Sequence, residues 1–201
     1  MANYGCQLMA EEMTRVLMRR PGISLLEADP TLWHYNHFFD AEKAIREYDE
    51  FATLITQTGA EIVWIEDEGD GLSDAMFTRD ASLITKAGAV PLKMGKALRS
   101  AEPQVHKAAY EQAGIPILGE LTGEAMIEGG DTIWLNENTL IVGLGFRSNQ
   151  EGVRQLNALL NLHDITVISF DMPYWTGEEA CLHLMSVISP LTEKSTSFIH
   201  H

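Results

Sequence analysis

The stretch that decides the fold is DTIWLNENTLIVGLG, residues 131–145. Asp131 to Leu135 reads as a strand rich in β-branched and aromatic residues, Asn136 to Asn138 as a turn, and Thr139 to Gly145 as the returning strand. Beyond it, Ser148 and Glu151 have capping-box spacing, and Val153, Leu156, Leu159 and Leu160 make a helical apolar stripe. Ile165 to Phe170 (ITVISF) is again a strand. The local grammar is therefore strand–strand–helix–strand.

The same grammar recurs on either side. Upstream, FTRDASLIT turns at Lys86 to Gly88 and returns through Ala89 to Leu92. A helix follows from Glu102, with Pro103 in its first turn and Gly114 past its end, and Ile115 to Leu118 is a short strand. Earlier still, Asp40 can cap a helix whose stripe is Ala41, Ala44, Ile45, Tyr48, Phe51, Ala52 and Ile55. Gly59 ends it, and Glu61 to Ile65 (EIVWI) is a strand. Downstream, CLHLMSVIS begins a fourth unit. The repeat is roughly 50–60 residues, and units of this kind bury both faces only by packing side by side around an axis. No linker or charge block separates them, so one α/β domain is expected over residues 1–194, with 195–201 a divergent or disordered tail.

Composition narrows the function. In 201 residues, 29 acids face 14 lysines and arginines, a net charge of -15. Such a chain repels phosphate backbones and anionic lipids, so neither nucleic acid nor a membrane surface is an expected partner, while a small cation is compatible. Two cysteines, Cys6 and Cys181, give neither a disulfide framework nor a metal spacing. The N-terminal stretch carries acids where a signal peptide is apolar, and no apolar run reaches the roughly 20 residues of a membrane span, so the cytoplasm is the expected location.

Three segments concentrate functional groups, each just before or at the first strand of a unit. They are Ser73-Asp74-Ala75-Met76-Phe77-Thr78-Arg79-Asp80, Glu128-Gly129-Gly130-Asp131 and Cys181-Leu182-His183-Leu184-Met185. Each alone has a plain reading: a solvated loop, a tight turn with exposed acids, a hydrogen-bonded core histidine in an apolar strand. Arg99 and Arg147, taken singly, read as surface residues. Together they suit a guanidinium. That cation is planar and donates in a fork that carboxylates such as Asp80 and Glu128 match two bonds at a time. A histidine beside them can act as general acid or base.

FTRD, EGGD and the later histidine segment, in this order, resemble the guanidine-modifying superfamily of arginine deiminases, dimethylarginine dimethylaminohydrolases and amidinotransferases. The resemblance runs from about Tyr4 to about Pro190. It implies a pentein-type propeller of five ββαβ units with the site on the axis, of which about three and a half units are present. It implies a hydrolase cleaving the guanidinium C–N bond of arginine or an N-methylated arginine, through a cysteine thiouronium, to citrulline and ammonia or an alkylamine. The alternatives are an inactive remnant that binds a guanidino ligand, and an amidinotransferase-like protein. By resemblance Glu128 and His183 are catalytic, and Asp80 holds the guanidinium. Arg99 and Arg147 hold the amino-acid end, and Asp74, Phe77 and Asp131 line or brace the site. No metal or organic cofactor is implied. Met185 stands where deiminases carry an aspartate, which tilts the substrate towards a substituted guanidine. The family's nucleophilic cysteine belongs to a fifth unit, and Cys181 is read first as a small buried residue, with a substitute nucleophile as the alternative. A propeller short of units exposes edges, so self-association or a completing partner is expected.

Overall fold

A computed structural model describes residues 4–173, 177, 182–192 and 195–198. Helices alternate with small sheets, an α/β fold. The chain divides into two compact units. Among the described residues, one holds 13–78 and the other holds 4–12 and those from 79 on. The boundary falls inside the FTRD motif, between Thr78 and Arg79.

In the first unit, β1 (Arg15–Arg19) leads through two short helices, α1 (Ile23–Leu26) and α2 (Pro30–Trp33), to α3 (Ala41–Gln57) and β2 (Glu61–Ile65). β1 and β2 pair in parallel, Val16 opposite Ile62 and Arg19 opposite Ile65. The Asp40 side chain caps α3 by accepting from the Lys43 N–H at 3.0 Å. Of the expected apolar stripe, Ala52 is buried, whereas Ile45 and Phe51 remain exposed. The loop after β2 closes on a buried arginine. Arg19 Nη2 donates to Asp67 at 3.1 Å and to Asp70 at 2.7 Å. Ser24 donates to Asp67 through both Oγ (2.6 Å) and N (3.0 Å). The Gly69 and Leu72 N–H groups turn back onto Asp67 and Asp70.

The second unit opens with the antiparallel pair β3 (Ser82–Thr85) and β4 (Gly88–Pro91), followed by α4 (Glu102–Gln112). Gly114, at φ 70°, turns the chain out of α4. The expected strand at Ile115–Leu118 is reduced to a single parallel bridge, Ala89 with Ile117, because Pro116 has no N–H to donate. Then come β5 (Thr132–Asn136), β6 (Thr139–Leu144), α5 (Gln150–Leu160) and β7 (Thr166–Asp171). They form a sheet ordered β5-β6-β7, antiparallel then parallel, which is the strand–strand–helix–strand unit expected of 131–170. Leu83, Val90, Leu140, Val142, Leu156 and Leu160 pack into one core beneath it.

Two expectations are corrected here. The α5 cap is Asn149, whose Oδ1 accepts from the Gly152 N–H at 2.8 Å, and not Ser148, whose hydroxyl is engaged elsewhere. His183 does not lie in a strand. Leu182 and His183 are irregular, Leu184–Ser186 is a 3₁₀ turn, and the strand β8 begins only at Ile188 (Ile188–Thr192). Within the expected tail, Ser195–Phe198 forms β9, antiparallel to β8. Cys181, His200 and His201 lie outside the described residues. Among the described residues, no helix is long and apolar enough to cross a membrane.

Candidate active site

The EGGD segment brings the site together. Glu128 is extended, and Gly129–Asp131 make one 3₁₀ turn into β5. Both glycines are required by proximity rather than by backbone angle. A Cβ on Gly129 would overlap the Arg79 carbonyl oxygen, and one on Gly130 would lie 2.5 Å from His183 Nδ1 and 2.8 Å from Asp80 Oδ1. The backbone can therefore close on FTRD directly. Gly129 N–H donates to Asp80 O at 2.8 Å, and Gly130 N–H to Asp80 Oδ1 at 3.0 Å. Arg79 fastens the other side, donating from Nη2 to Thr132 O at 2.8 Å. Thr132 Oγ1 in turn donates to Gly129 O at 2.7 Å.

Glu128 is fully buried and densely bonded. Its Oε1 accepts from the Gly95 and Lys96 N–H groups, each at 3.0 Å, and from Arg147 Nη1 at 3.3 Å. Its Oε2 lies 2.9 Å from His183 Nε2. Burial works to raise the Glu128 pKa. The hydrogen bond with His183, the charge of Arg147 and the Lys96 N–H outweigh it and bring it to about 2. The group is a carboxylate across the physiological range.

Asp80 stands beside this pair, with Oδ1 4.0 Å from His183 Nδ1. Its Oδ2 accepts from Arg99 Nη1 at 2.7 Å. Arg99 is itself gripped by Glu102, Nε to Oε1 at 2.9 Å and Nη2 to Oε2 at 2.7 Å. Burial disfavours the Arg99 charge, but the Glu102 and Asp80 partners outweigh it and push its pKa above the ordinary value. Arg99 is thus committed inside the protein. The sequence expectation gives Arg99 the amino-acid end of a substrate; the structure places its guanidinium against Asp80 and Glu102.

Asp131, expected to line or brace the site, is held by two bonds. Its Oδ2 accepts from Ser148 Oγ at 2.7 Å, and its Oδ1 from the Leu184 N–H at 3.1 Å. Ser148 Oγ also accepts from the Glu128 N–H at 3.1 Å. Asp131 therefore braces the backbone next to His183, and Ser148 ties that brace to Glu128. Burial raises the Asp131 pKa, opposed by the charge of His183 and the Ser148 bond.

The structure thus brings together Asp80, Glu128, Asp131, Arg99, Arg147 and His183. Asp74 and Phe77 belong to the first unit. There Asp74 is buried and accepts from Tyr35 Oη at 2.6 Å, while Phe77 is exposed. The sequence reading missed Glu102 and the bracing role of Ser148. It also missed the Gly95 and Lys96 N–H donors. At Gly95 an added Cβ would lie 2.8 Å from Arg147 Cα, which marks another close approach.

Ligand atoms of Asp80, Glu128 and His183 lie within 4.8 Å of one another, a spacing that a metal ion could also use. The surroundings fit one poorly. The guanidinium groups of Arg99 and Arg147 and three backbone N–H groups already direct positive charge at these carboxylates. The arrangement suits a planar cation that can share carboxylate lone pairs, next to an imidazole able to move a proton.

Residues 69–200 match the arginine deiminase family. The chain belongs to that family. Among characterised relatives, it is 25% identical over 179 residues to N(G),N(G)-dimethylarginine dimethylaminohydrolase of Streptomyces coelicolor, covering 89% of this chain and 66% of that protein. It is 24% identical to an uncharacterized protein of Caenorhabditis elegans, covering 94% of this chain and 64% of that one. The chain therefore spans just under two thirds of the length of these relatives. Its fold is similar to the dimethylarginine dimethylaminohydrolase of Pseudomonas aeruginosa, solved as a cysteine-to-serine mutant with citrulline. The TM-score is 0.73 at 20% identity, covering 90% of this chain and 67% of that one. It is also similar to the N-terminal domain of ArgZ, a cyanobacterial arginine dihydrolase solved with its substrate. There the TM-score is 0.76 at 23% identity, covering 92% and 66%.

Proposed function

We propose that this chain carries the guanidinium-binding and proton-transfer groups of a hydrolase. It acts on the guanidinium C–N bond of arginine or an N-methylated arginine, giving citrulline and ammonia or an alkylamine. The observation that carries this is the 2.9 Å contact between His183 Nε2 and a fully ionised, buried Glu128, with Asp80 beside it. Two carboxylates and an imidazole at this spacing hold a fixed cation and handle its protons. Family membership supports the reaction class. The citrulline and substrate complexes of the structural neighbours support a guanidino amino acid as ligand. The radial ββαβ propeller is part of the same proposal, and β5-β6-α5-β7 supplies one complete unit of it.

In the mechanism, Asp80 and Glu128 receive the guanidinium N–H groups and hold its plane. A cysteine thiolate forms a bond to the guanidine carbon, and His183 gives its proton to the departing nitrogen as the C–N bond breaks. Water then adds to the thiouronium carbon and loses a proton to His183. The C–S bond breaks as the citrulline C=O forms, the hydroxyl proton passes to the released amine or to solvent, and the thiolate is regenerated. Cys6 is poorly suited to the thiolate role. Its Sγ donates to Leu8 O at 2.9 Å, and burial raises its pKa, the reverse of what a nucleophile needs.

The test is citrulline release from arginine and from N-methylated arginines. Product that disappears in His183→Asn supports the hydrolase reading. No product but calorimetric binding of arginine leaves a binding protein without turnover, and neither product nor binding overturns the reading.

A further inference from the structure

Glu102 sits in the first turn of α4 and is fully buried. Its two oxygens meet Arg99 fork to fork, with Nε at 2.9 Å and Nη2 at 2.7 Å. Arg99 Nη1 continues to Asp80 Oδ2 at 2.7 Å. Asp80 Oδ1 is oriented the other way, towards Gly130 N–H at 3.0 Å and His183 Nδ1 at 4.0 Å. An arginine paired with Asp80 alone would cancel the charge that a cationic ligand needs. Here the guanidinium charge is already matched by Glu102. Arg99 can then fix the direction of Asp80 while the three groups together keep one net negative charge. A buried Arg–Glu pair adds little net stability over an apolar pair of equal size. Its consequence lies in the field left at Asp80.

We propose that Glu102 is a positioning residue which, acting through Arg99, holds Asp80 oriented and negatively charged towards His183 and a ligand cation. The ligand part rests on the guanidine reading above, and the coupling to His183 does not. Among the described residues, the charged groups facing His183 include Glu128 Oε2, Asp80 Oδ1 and Asp131, with Arg147 beyond Glu128.

The experiment follows the imidazole Cε1–H of His183 by NMR across pH in the whole chain, beside calorimetric titration with L-arginine. Glu102→Gln keeps shape and an acceptor but deletes the charge. The His183 midpoint is expected to move to lower pH, and the arginine Kd to rise about tenfold. Glu102→Asp, which keeps the charge, is expected to restore the midpoint. A folded Glu102→Gln with an unmoved midpoint overturns the proposal. If Glu102→Gln does not fold, replacing Arg99 and Glu102 together by methionine removes a neutral pair. Asp80 then loses its nearest cation, so the midpoint is expected to rise, and an unmoved midpoint again overturns the proposal. A midpoint that moves as expected in a protein that does not bind arginine upholds Glu102's role and removes the guanidine reading instead.

Discussion

Each unit buries one arginine against two acids, and the two clusters behave differently. In the first unit Asp67 accepts from Arg19, Ser24 Oγ, Ser24 N and Gly69 N, and Asp70 from Arg19 and Leu72 N, with Ser24 Oγ 3.1 Å away. Arg19 and Ser24, outside the loop that contains these acids, supply most of the bonds, and the loop's own Gly69 and Leu72 N–H groups supply the rest. In the second unit Asp80 accepts, among the described residues, from Arg99 and Gly130 N–H, and its Oδ1 faces His183. The ingredients are the same, but the saturation is not. A carboxylate saturated by the surrounding backbone and side chains is a staple. One held by a pre-matched arginine, with an imidazole in front of it, can still act on a ligand.

The hardest test of that contrast is Arg19→Ala. It leaves Asp67 and part of Asp70 without their cation, and is expected to cost about 4 kcal/mol in urea unfolding while arginine affinity of the folded protein is unchanged. An equal loss of affinity would erase the distinction between the clusters. Next comes pH. The Glu128 pKa is depressed from 4.5 to about 2, so its contribution is present above about 4.5 and lost as pH falls through about 2. At about 1.4 kcal/mol per pKa unit this is roughly 3 kcal/mol. Melting curves between pH 5 and pH 2 should show it, and Glu128→Gln should remove that slope. Asp131 works in the opposite sense, because its raised pKa means that acid relieves the cost of its buried charge. Ser148→Ala removes one donor and one acceptor from buried partners and should cost about 1–3 kcal/mol by urea midpoint. The smallest effect is expected at Asp40→Ala, about 1 kcal/mol from a helix cap, with the His183 titration unmoved.

How much of this was legible in the sequence depended on whether the signal was local. The Asp40 cap, the 132–144 hairpin and the α5 stripe are written in neighbouring residues, and the structure has them. The acids and glycines of FTRD and EGGD marked the right segments, though not that the glycines serve a backbone-to-backbone contact. Ser148 misled because two adjacent residues both suited a cap. Asn149 took it, while a distant partner, Asp131, recruited the serine hydroxyl. Glu102 looked like an ordinary first-turn acid that a helix dipole favours. Its spacing of three from Arg99 was readable, but its complete burial was not. His183 was placed in a strand on the strength of its apolar neighbours. The Leu184 N–H is instead spent on Asp131, and the chain turns there.

The most direct measurement is calorimetric titration of L-arginine into the wild-type chain and into Asp80→Asn. The account predicts measurable binding to the wild type, weakened about 10–100-fold in the variant, the worth of a charge-assisted hydrogen bond. No binding to the wild type, or equal binding to both, would contradict it.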